Sequence, residues 1–142
     1  MAGPTAITTG EMAGWMTWET DPFELVNGPF YFREEEESGE VVCRMKAERR
    51  HLNGGGAVHG GCLMTFADFC LFALAWRALG GGPAVTVTFA SEFAGAALEG
   101  DVIETRGEVV RAGGSLIFVR GKMTTERGAV LNFSGVLKKV RK

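Results

Sequence analysis

The sequence has few of the residues that build covalent or fibrous frameworks. Its 142 residues include three cysteines and no CxxC pair, an odd count that predicts reduced, partly buried thiols and a cytoplasmic location. Only four prolines are present, and the 21 glycines follow no G-X-Y period, which excludes collagen. The net charge of −2 provides no general attraction to phosphate polymers, so nucleic acid is not an expected partner.

Long hydrophobic runs are also absent. The most apolar segment, residues 62–79, is interrupted by Asp68 and Arg77, whereas a membrane span needs about 20 predominantly apolar residues. The first ten residues lack the basic start and apolar core of a secretory signal. We therefore expect no membrane partner and interpret residues 62–79 as part of a buried helix.

The length of the chain fits a single domain, residues 1–142. Hydrophobic residues make up 46% and charged residues 23%, the ordinary balance of a globular protein. Glycine is about twice as frequent as average, and five of the 21 glycines lie between Gly54 and Gly61. This cluster is the first candidate for a functional feature.

Periodicity and turn residues predict the order of the elements. An N-terminal extension, residues 1–24, is expected to contain a short amphipathic helix over residues 12–18 that ends before Pro22. A long helix over residues 61–79 is expected to end at the glycines that follow it. Alternating apolar residues predict strands over residues 29–37, 41–47, 84–93, 101–111, 115–125 and 129–140.

The single long helix limits the fold class. One helix cannot cover both faces of a parallel sheet, so we predict an α+β fold in which an antiparallel sheet wraps around one long central helix. Because this helix is apolar on nearly every side, a single sheet of this size leaves part of it uncovered. A second subunit is the simplest cover, which predicts a homodimer.

The glycine cluster leads into the start of the long helix. Glycines allow a ligand to approach the backbone, and a first helical turn presents unpaired N–H groups with a partial positive charge. Such a helix start suits an anion, or a carbonyl oxygen that becomes one during acyl transfer. The N–H of Gly60 is the candidate donor, while Asn53 and His59 either orient the loop or contact the carbonyl.

Asp68 is the only acidic residue between Glu48 and Glu92. A lone carboxylate in an apolar helix is costly unless it serves as a base or nucleophile, or braces a neighbouring chain. Its separation from Gly60 along a helix is about 12 Å, whereas a base must lie within about 3 Å of its target. If both groups act on one carbonyl, they come from two chains, and a two-fold dimer holds two shared sites.

These features together resemble a known family. The pattern N-x-x-G-x-x-H-G-G at residues 53–61, followed by Asp68 in an apolar helix and by four strands, is similar to the hotdog-fold acyl-CoA thioesterases. The similarity is greatest to their phenylacetate-degradation and THEM-type branch, and it covers residues 25–140. The chain departs from the family at residues 54–56, where three glycines stand and relatives usually have one.

The resemblance implies a role for each candidate residue. Asp68 is implied as general base or nucleophile, the Gly60 N–H as the group that polarises the thioester carbonyl, and Thr86 as a holder of the water. The remaining candidates are expected to position substrate or water: Asn53 and His59 in the loop, Gly61 and Thr65 in the first turns of the helix. The resemblance also implies a homodimer or a dimer of dimers, a homotetramer, with sites between subunits. It implies no metal and no cofactor, because coenzyme A enters as part of the substrate.

Alternatives for the chemistry stay open at this point. Asp68 can activate water as a base or form an acyl anhydride as a nucleophile. Cys62, at a helix start where a thiol pKa falls, is an alternative nucleophile. A non-catalytic acyl-CoA-binding or regulatory domain and a hotdog hydratase or dehydratase are alternative functions.

The substrate is described only coarsely by the sequence. The apolar side chains near Asp68 are Phe66, Phe69, Leu71, Phe72 and Trp76. They either form a wall for a medium-chain or aromatic acyl group or belong only to the core. The candidates for contact with the coenzyme A phosphates are Arg111, Arg120 and the basic tail, residues 138–142.

Overall fold

One antiparallel sheet contains most of the regular structure in this computed structural model, which describes residues 3–141. Its strands are β1 (Thr5–Ala6), β2 (Met16–Thr17), β3 (Tyr31–Glu34), β4 (Val41–Lys46), β5 (Ala84–Phe93), β6 (Val102–Ala112), β7 (Leu116–Thr125) and β8 (Gly128–Lys139). They lie side by side in the order β1-β2-β3-β4-β6-β7-β8-β5. The helical segments are α1 (Pro22–Asn27), a 3-10 turn (Arg49–His51), α2 (Gly60–Leu74) and α3 (Trp76–Leu79). Residues 1, 2 and 142 of the predicted domain lie outside the described residues.

Helix α2 packs against β4, β6, β7 and β8 in the middle of the sheet. Its sheet-facing side chains are buried and form much of the core: Leu63, Phe66, Ala67, Phe69, Cys70, Leu71, Ala73 and Leu74. Strand β7 alternates buried and exposed residues along its length, as expected for a sheet with one face on a core. The predicted α+β fold, an antiparallel sheet with one long helix, is confirmed.

Glycines in the sheet allow α2 to approach it closely. Gly107 and Gly121 face each other across β6 and β7, and Gly135 lies in β8. A Cβ atom on Gly107 would lie 2.8 Å from Cδ1 of Leu74, and one on Gly135 would lie 2.5 Å from Cδ1 of Leu71. Gly107 and Gly135 therefore leave space for the helix, whereas an added Cβ atom on Gly121 would instead meet the ring of Phe133 at 2.6 Å.

One side of α2 remains uncovered in the single chain. Gly61, Met64 and Asp68 are exposed, and their spacing of three and four residues places them on one face of the helix. The helix is thus not buried all round by its own sheet. The uncovered face is the one that the predicted second subunit would cover.

The predicted N-terminal helix is wrong. Residues 12–18 form turns and the short strand β2, with Trp15 buried, and the helix lies instead at Pro22–Asn27. Asp21 caps this helix by accepting a hydrogen bond from the Glu24 N–H at 3.0 Å. Pro22 begins the helix because the first helical residue needs no N–H donor, whereas the prediction treated it as a terminator.

The remaining predicted elements are present with small shifts of their ends. The long helix begins one residue early at Gly60 and breaks at Ala75, after which α3 runs to Leu79. Gly80 ends α3 in a left-handed conformation, with φ of 60°. No helix among residues 3–141 is long and apolar enough to cross a membrane.

Candidate active site

A groove runs along the uncovered face of α2, between α1 and β5. It encloses about 520 Å³, a volume within the range of small-molecule sites. Its lining residues come from three elements: Asp21, Phe23 and Glu24 at α1, Gly61, Met64, Thr65 and Asp68 on α2, and Thr86 and Phe89 on β5. Four of the predicted site residues, Gly61, Thr65, Asp68 and Thr86, therefore share one groove.

Asp68 and Thr86 are in direct contact within this groove. The Thr86 hydroxyl donates a hydrogen bond to Oδ1 of Asp68 at 2.6 Å. Asp68 is exposed and makes no ion pair with any residue between 3 and 141. The second carboxylate oxygen is thus open to a water or a substrate in the groove.

A bulge in β5 decides which side chains face this groove. The register with β8 shifts between Thr86 and Thr88, so Val87 is an extra residue in the strand. Simple alternation would place Phe89 on the side opposite Thr86, but the bulge brings both onto the groove side. The bulge therefore separates Phe89 from Val85 and Val87, with which simple alternation along residues 84–93 would place it.

The start of α2 leaves one N–H group without a partner. His59 is the N-cap, and its Nδ1 accepts a hydrogen bond from the Gly61 N–H at 2.9 Å. The carbonyl of His59 accepts from the next two N–H groups, those of Cys62 and Leu63. The Gly60 N–H has no acceptor among the described residues and points from a helix N-terminus, which carries a partial positive charge.

Asn53 fastens the loop that precedes the helix. Its Oδ1 accepts hydrogen bonds from the N–H groups of Gly55 at 2.8 Å and Ala57 at 3.2 Å. Of the three adjacent glycines only Gly56 has a positive φ, 89°. Asn53 and His59 thus use their acceptor atoms to orient the loop, the first of the two roles considered for them. Thr65, in the groove, donates to the carbonyl of Gly61 at 2.9 Å.

Gly60 and Asp68 do not meet within one chain. Both lie on the unbroken helix α2, and the helical rise separates them by about 12 Å. Phe93, at the end of β5, lies over the helix start, since a Cβ atom on Gly60 would be 3.2 Å from its ring. The single chain therefore contains the two halves of the predicted constellation at different places.

The aromatic residues predicted to line the site mostly lie elsewhere. Phe66, Phe69 and Leu71 are buried in the core, and Trp76 donates to Glu34 at 3.2 Å outside the groove. Phe72 contacts a smaller recess on the other side of Asp68. The apolar wall of the groove is instead formed by Phe23, Met64 and Phe89. Met64 lies four residues before Asp68 on the same helix face, and this spacing could have identified it as a groove residue. Phe89 could not be predicted to line the groove, because the bulge in β5 is not visible in the sequence.

Glu24 is a groove residue that sequence patterns did not reveal. It is half-buried beside the groove and lines the recesses on both sides of Asp68. Burial, followed by the charges of Asp21 and then Asp68, raises the pKa of Glu24 to about 8. The only available signal was its position three residues after the capping residue Asp21, and the misplaced N-terminal helix concealed it.

Cys62 does not have the surroundings of a nucleophile. Burial raises the pKa of its thiol, and the nearby charge of Arg50 opposes this only in part. His51 cannot activate it, because Nδ1 accepts from the Glu48 N–H and Nε2 donates to the Asn27 carbonyl. All three cysteines are free thiols, and Cys43 and Cys70 are buried.

Comparison with known proteins identifies the family. Residues 55–131, over half of the chain, match the profile of the Thioesterase superfamily. The chain belongs to the thioesterase superfamily. A Pseudomonas aeruginosa protein provisionally named an esterase is 33% identical to this thioesterase-superfamily member over 120 residues, which are 84% of this chain and 89% of that protein. The predicted resemblance, and with it the enzyme class of thioester hydrolase, is confirmed.

Solved structures share the fold. The E. coli PaaI protein from the phenylacetic acid degradation operon superposes with a TM-score of 0.72 at 22% identity, covering 87% of each chain. A Streptococcus pneumoniae protein described as a hypothetical thioesterase, solved with coenzyme A, has a TM-score of 0.69 at 24% identity over 80% of this chain and 87% of that one. Because both identities are below 25%, these similarities establish the fold of this chain and nothing about its activity.

Proposed function

We propose that this thioesterase-superfamily member hydrolyses an acyl-CoA thioester to a free acid and coenzyme A. The proposal is based on the Asp68 carboxylate, which accepts a hydrogen bond from the Thr86 hydroxyl at 2.6 Å. Both residues lie in a groove with an apolar wall. A carboxylate held in this way can act on water or on the carbonyl itself. The coenzyme A bound to the Streptococcus pneumoniae neighbour supports the choice of leaving group.

The proposed reaction divides its work between two groups. Asp68 either takes a proton from the attacking water, which Thr86 helps to hold, or attacks the carbonyl to form an anhydride. The Gly60 N–H stabilises the oxyanion that develops on the carbonyl oxygen. The chain needs no cofactor for this reaction, because water is the second substrate and coenzyme A is a product.

A second copy of the chain brings the two groups together in this proposal. Within residues 3–141, strand β5 pairs only with β8 and is an edge strand. Its side chains Val85 and Val87 are each 47% exposed. Edge strands with exposed apolar side chains readily pair with another chain. A two-fold dimer of this kind covers the open face of α2 and places Asp68 of one subunit near Gly60 of the other; a dimer of dimers would keep both sites.

Mixed dimers test the shared site. We expect Asp68→Ala and Gly60→Pro each to abolish activity and a heterodimer of the two variants to regain one intact site. Pro fits the first helical position while removing the N–H of Gly60. Random mixing should therefore restore about a quarter of the wild-type activity, because half of the dimers are heterodimers with one intact site of two. Two affinity tags isolate the heterodimer, and Asp68→Ala mixed with itself is the control. A purified heterodimer without activity would exclude a site shared in this way.

A thiol-release assay over a panel of acyl-CoAs tests the proposed reaction. Phe23, Met64 and Phe89 offer an apolar wall, so we expect aromatic or medium-chain acyl groups to be hydrolysed with the highest kcat/KM. Short-chain acyl-CoAs should be hydrolysed at least about tenfold less efficiently, since each buried methylene contributes about 0.8 kcal/mol. Binding of acyl-CoA without thiol release would indicate the non-catalytic alternative, and release of no thiol from any substrate would contradict the proposal.

The basic residues considered for contact with the coenzyme A phosphates differ in their surroundings. Arg120 pairs with Glu108 on the outside of the sheet at 2.5 Å, away from the groove residues. Arg111 and the basic tail stay candidates; Lys142 of that tail lies outside the described residues. The cytoplasmic location and the absence of nucleic-acid and membrane partners stay predictions.

A further inference from the structure

Glu24 borders the groove that contains Asp68. Helix α1 packs against α2, and Glu24 lines both the main groove and the smaller recess of about 350 Å³ on the other side of Asp68. Its backbone N–H is bound by Asp21, which fixes the start of α1 and hence the position of the side chain. Glu24 is thus a half-buried carboxyl that borders the space around Asp68.

The charges that face Glu24 are all negative. Asp21 precedes it at the helix cap, and Asp68 faces it from α2. The polar groups on the remaining walls are the neutral hydroxyls of Thr65 and Thr86. Arg50, from the 3-10 turn, donates instead to the carbonyls of Val26 and Gly28 at the opposite end of α1. Within residues 3–141 no cation forms an ion pair with Glu24.

These surroundings keep a proton on Glu24 at neutral pH. With its pKa raised to about 8, mainly by burial, the group is a carboxylic acid rather than a carboxylate at pH 7. An alkyl thiol has a reference pKa of about 8.5, so an acid near 8 is well matched to protonate an alkyl thiolate. The two threonine hydroxyls of the groove already donate, Thr86 to Asp68 and Thr65 to Gly61. Glu24 is therefore the groove residue with a proton to give.

We propose that Glu24 is the general acid that protonates the departing thiol sulfur; this inference rests on the proposed thioester hydrolysis. In the general-base route Asp68 removes one proton from water, and the hydroxide adds to the carbonyl carbon. The carbon–sulfur bond then breaks, its electron pair stays on sulfur, and the Glu24 proton passes to that sulfur. Glu24 regains a proton from Asp68 directly or through water, so the products are the acid and the free thiol.

The leaving group provides the decisive test. We compare Glu24→Gln with the wild type on two thioesters of the same acyl group, one of coenzyme A and one of an acidic aryl thiol such as thionitrobenzoate. We expect kcat to fall about 10²-fold on the coenzyme A thioester, the usual contribution of a general acid. The aryl thioester should lose less than about threefold, because its thiolate leaves without a proton. Glu19→Gln is the matched control, an exposed glutamate of the same segment, and should not change either rate.

The pH dependence gives a second readout that a structural role would not move. With the coenzyme A thioester, kcat of the wild type should fall above pH 8, and Glu24→Gln should lack this limb. Stability changes over a lower pH range, because the folded state keeps the Glu24 proton at pH values at which the unfolded chain has already lost it. The wild type therefore loses stability between about pH 4.5 and 8, and the Tm advantage of Glu24→Gln should grow over that range.

Carboxyl titration by 13C NMR reports on Glu24 without using activity. One glutamate should titrate near pH 8 in the wild type and at lower pH in Asp68→Asn, which lacks one of the facing charges. Equal losses on both thioesters, or no glutamate titrating between pH 7 and 9, would overturn the proposal even if the enzyme is active. A wild type that hydrolyses no thioester would instead contradict the proposed function. If Glu24→Gln does not fold, Glu24→Asp and the wild-type titration decide the same question.

Discussion

Replacing Asp68 with asparagine is expected to lower kcat for thiol release by about 10³-fold, within the range lost when a general base or nucleophile is removed. The change keeps the shape of the side chain and an oxygen that can accept a hydrogen bond from the Thr86 hydroxyl. It removes the negative charge that takes a proton or attacks the carbonyl. The fold should be unaffected, because Asp68 is exposed and belongs to no ion pair within residues 3–141.

The measurement separates chemistry from binding. Thiol release gives kcat, and calorimetric titration with acyl-CoA gives Kd, which should change less than about threefold if the carboxylate acts in the chemical step. Glu99→Gln is the control, an exposed acidic residue outside the groove. An Asp68→Asn enzyme within a few-fold of the wild type would show that the carboxylate only braces the structure. Single turnover in water enriched with 18O, followed by mass spectrometry of the Asp68 peptide, distinguishes the anhydride route, which labels the carboxylate.

Replacing Gly107 with alanine is expected to cost about 3 kcal/mol or more of unfolding free energy, the upper part of the range for an overpacked core. A Cβ atom there would be 2.8 Å from both Cα of Gly121 and Cδ1 of Leu74, and closer still to the carbonyl oxygen of Arg120. Two of these atoms are backbone of the paired strand β7, so the clash is relieved only if strands move apart. The third belongs to α2, whose packing against the sheet would loosen with them.

Urea unfolding and calorimetry measure this cost. Gly114→Ala is the matched control, because no atom lies within 4 Å of a Cβ there and its φ is not positive; its effect should stay within about 0.5 kcal/mol. Since Gly107 lies outside the groove, the folded fraction of Gly107→Ala should retain wild-type Kd for acyl-CoA. Equal stability of the two variants would show that the sheet adjusts to the extra atom without cost.

The separation of Asp68 from Gly60 shows how far local patterns reach. An isolated acidic residue in an apolar run, a glycine-rich helix start and the fixed helical rise are enough to predict both groups and the distance between them. The family resemblance singles out Thr86 as a holder of the water, a role that stays a prediction, and the structure adds a hydrogen bond from its hydroxyl to Asp68. Of the two places considered for the aromatic residues near Asp68, the core is the correct one for Phe66 and Phe69, and Phe72 alone lines a recess beside Asp68. Helical position alone does not say which face packs on the sheet.

The N-terminal segment shows the opposite case. Trp15 and Trp18 have a spacing compatible with a helix, yet both are buried because the chain packs there through turns and a short strand. Pro22 has two opposite meanings, helix end or first helical residue, and only the cap from Asp21 distinguishes them. Since Glu24 follows this cap, its place in the groove could not be predicted once the helix was misplaced.

Local patterns were enough to predict the long helix, the loop before it, the glycine that ends the helical region at Gly80 and the order of the main strands along the chain, because each depends on neighbouring residues. The other features depend on tertiary contacts. Gly107 is needed for the space between two strands and a helix, and Phe89 reaches the groove through a bulge in strand pairing. The raised pKa of Glu24 depends mainly on burial in the folded chain, then on the charge of the nearby Asp21, and last on that of Asp68 from another helix. These properties arise from groups that are distant along the chain and meet only when it folds.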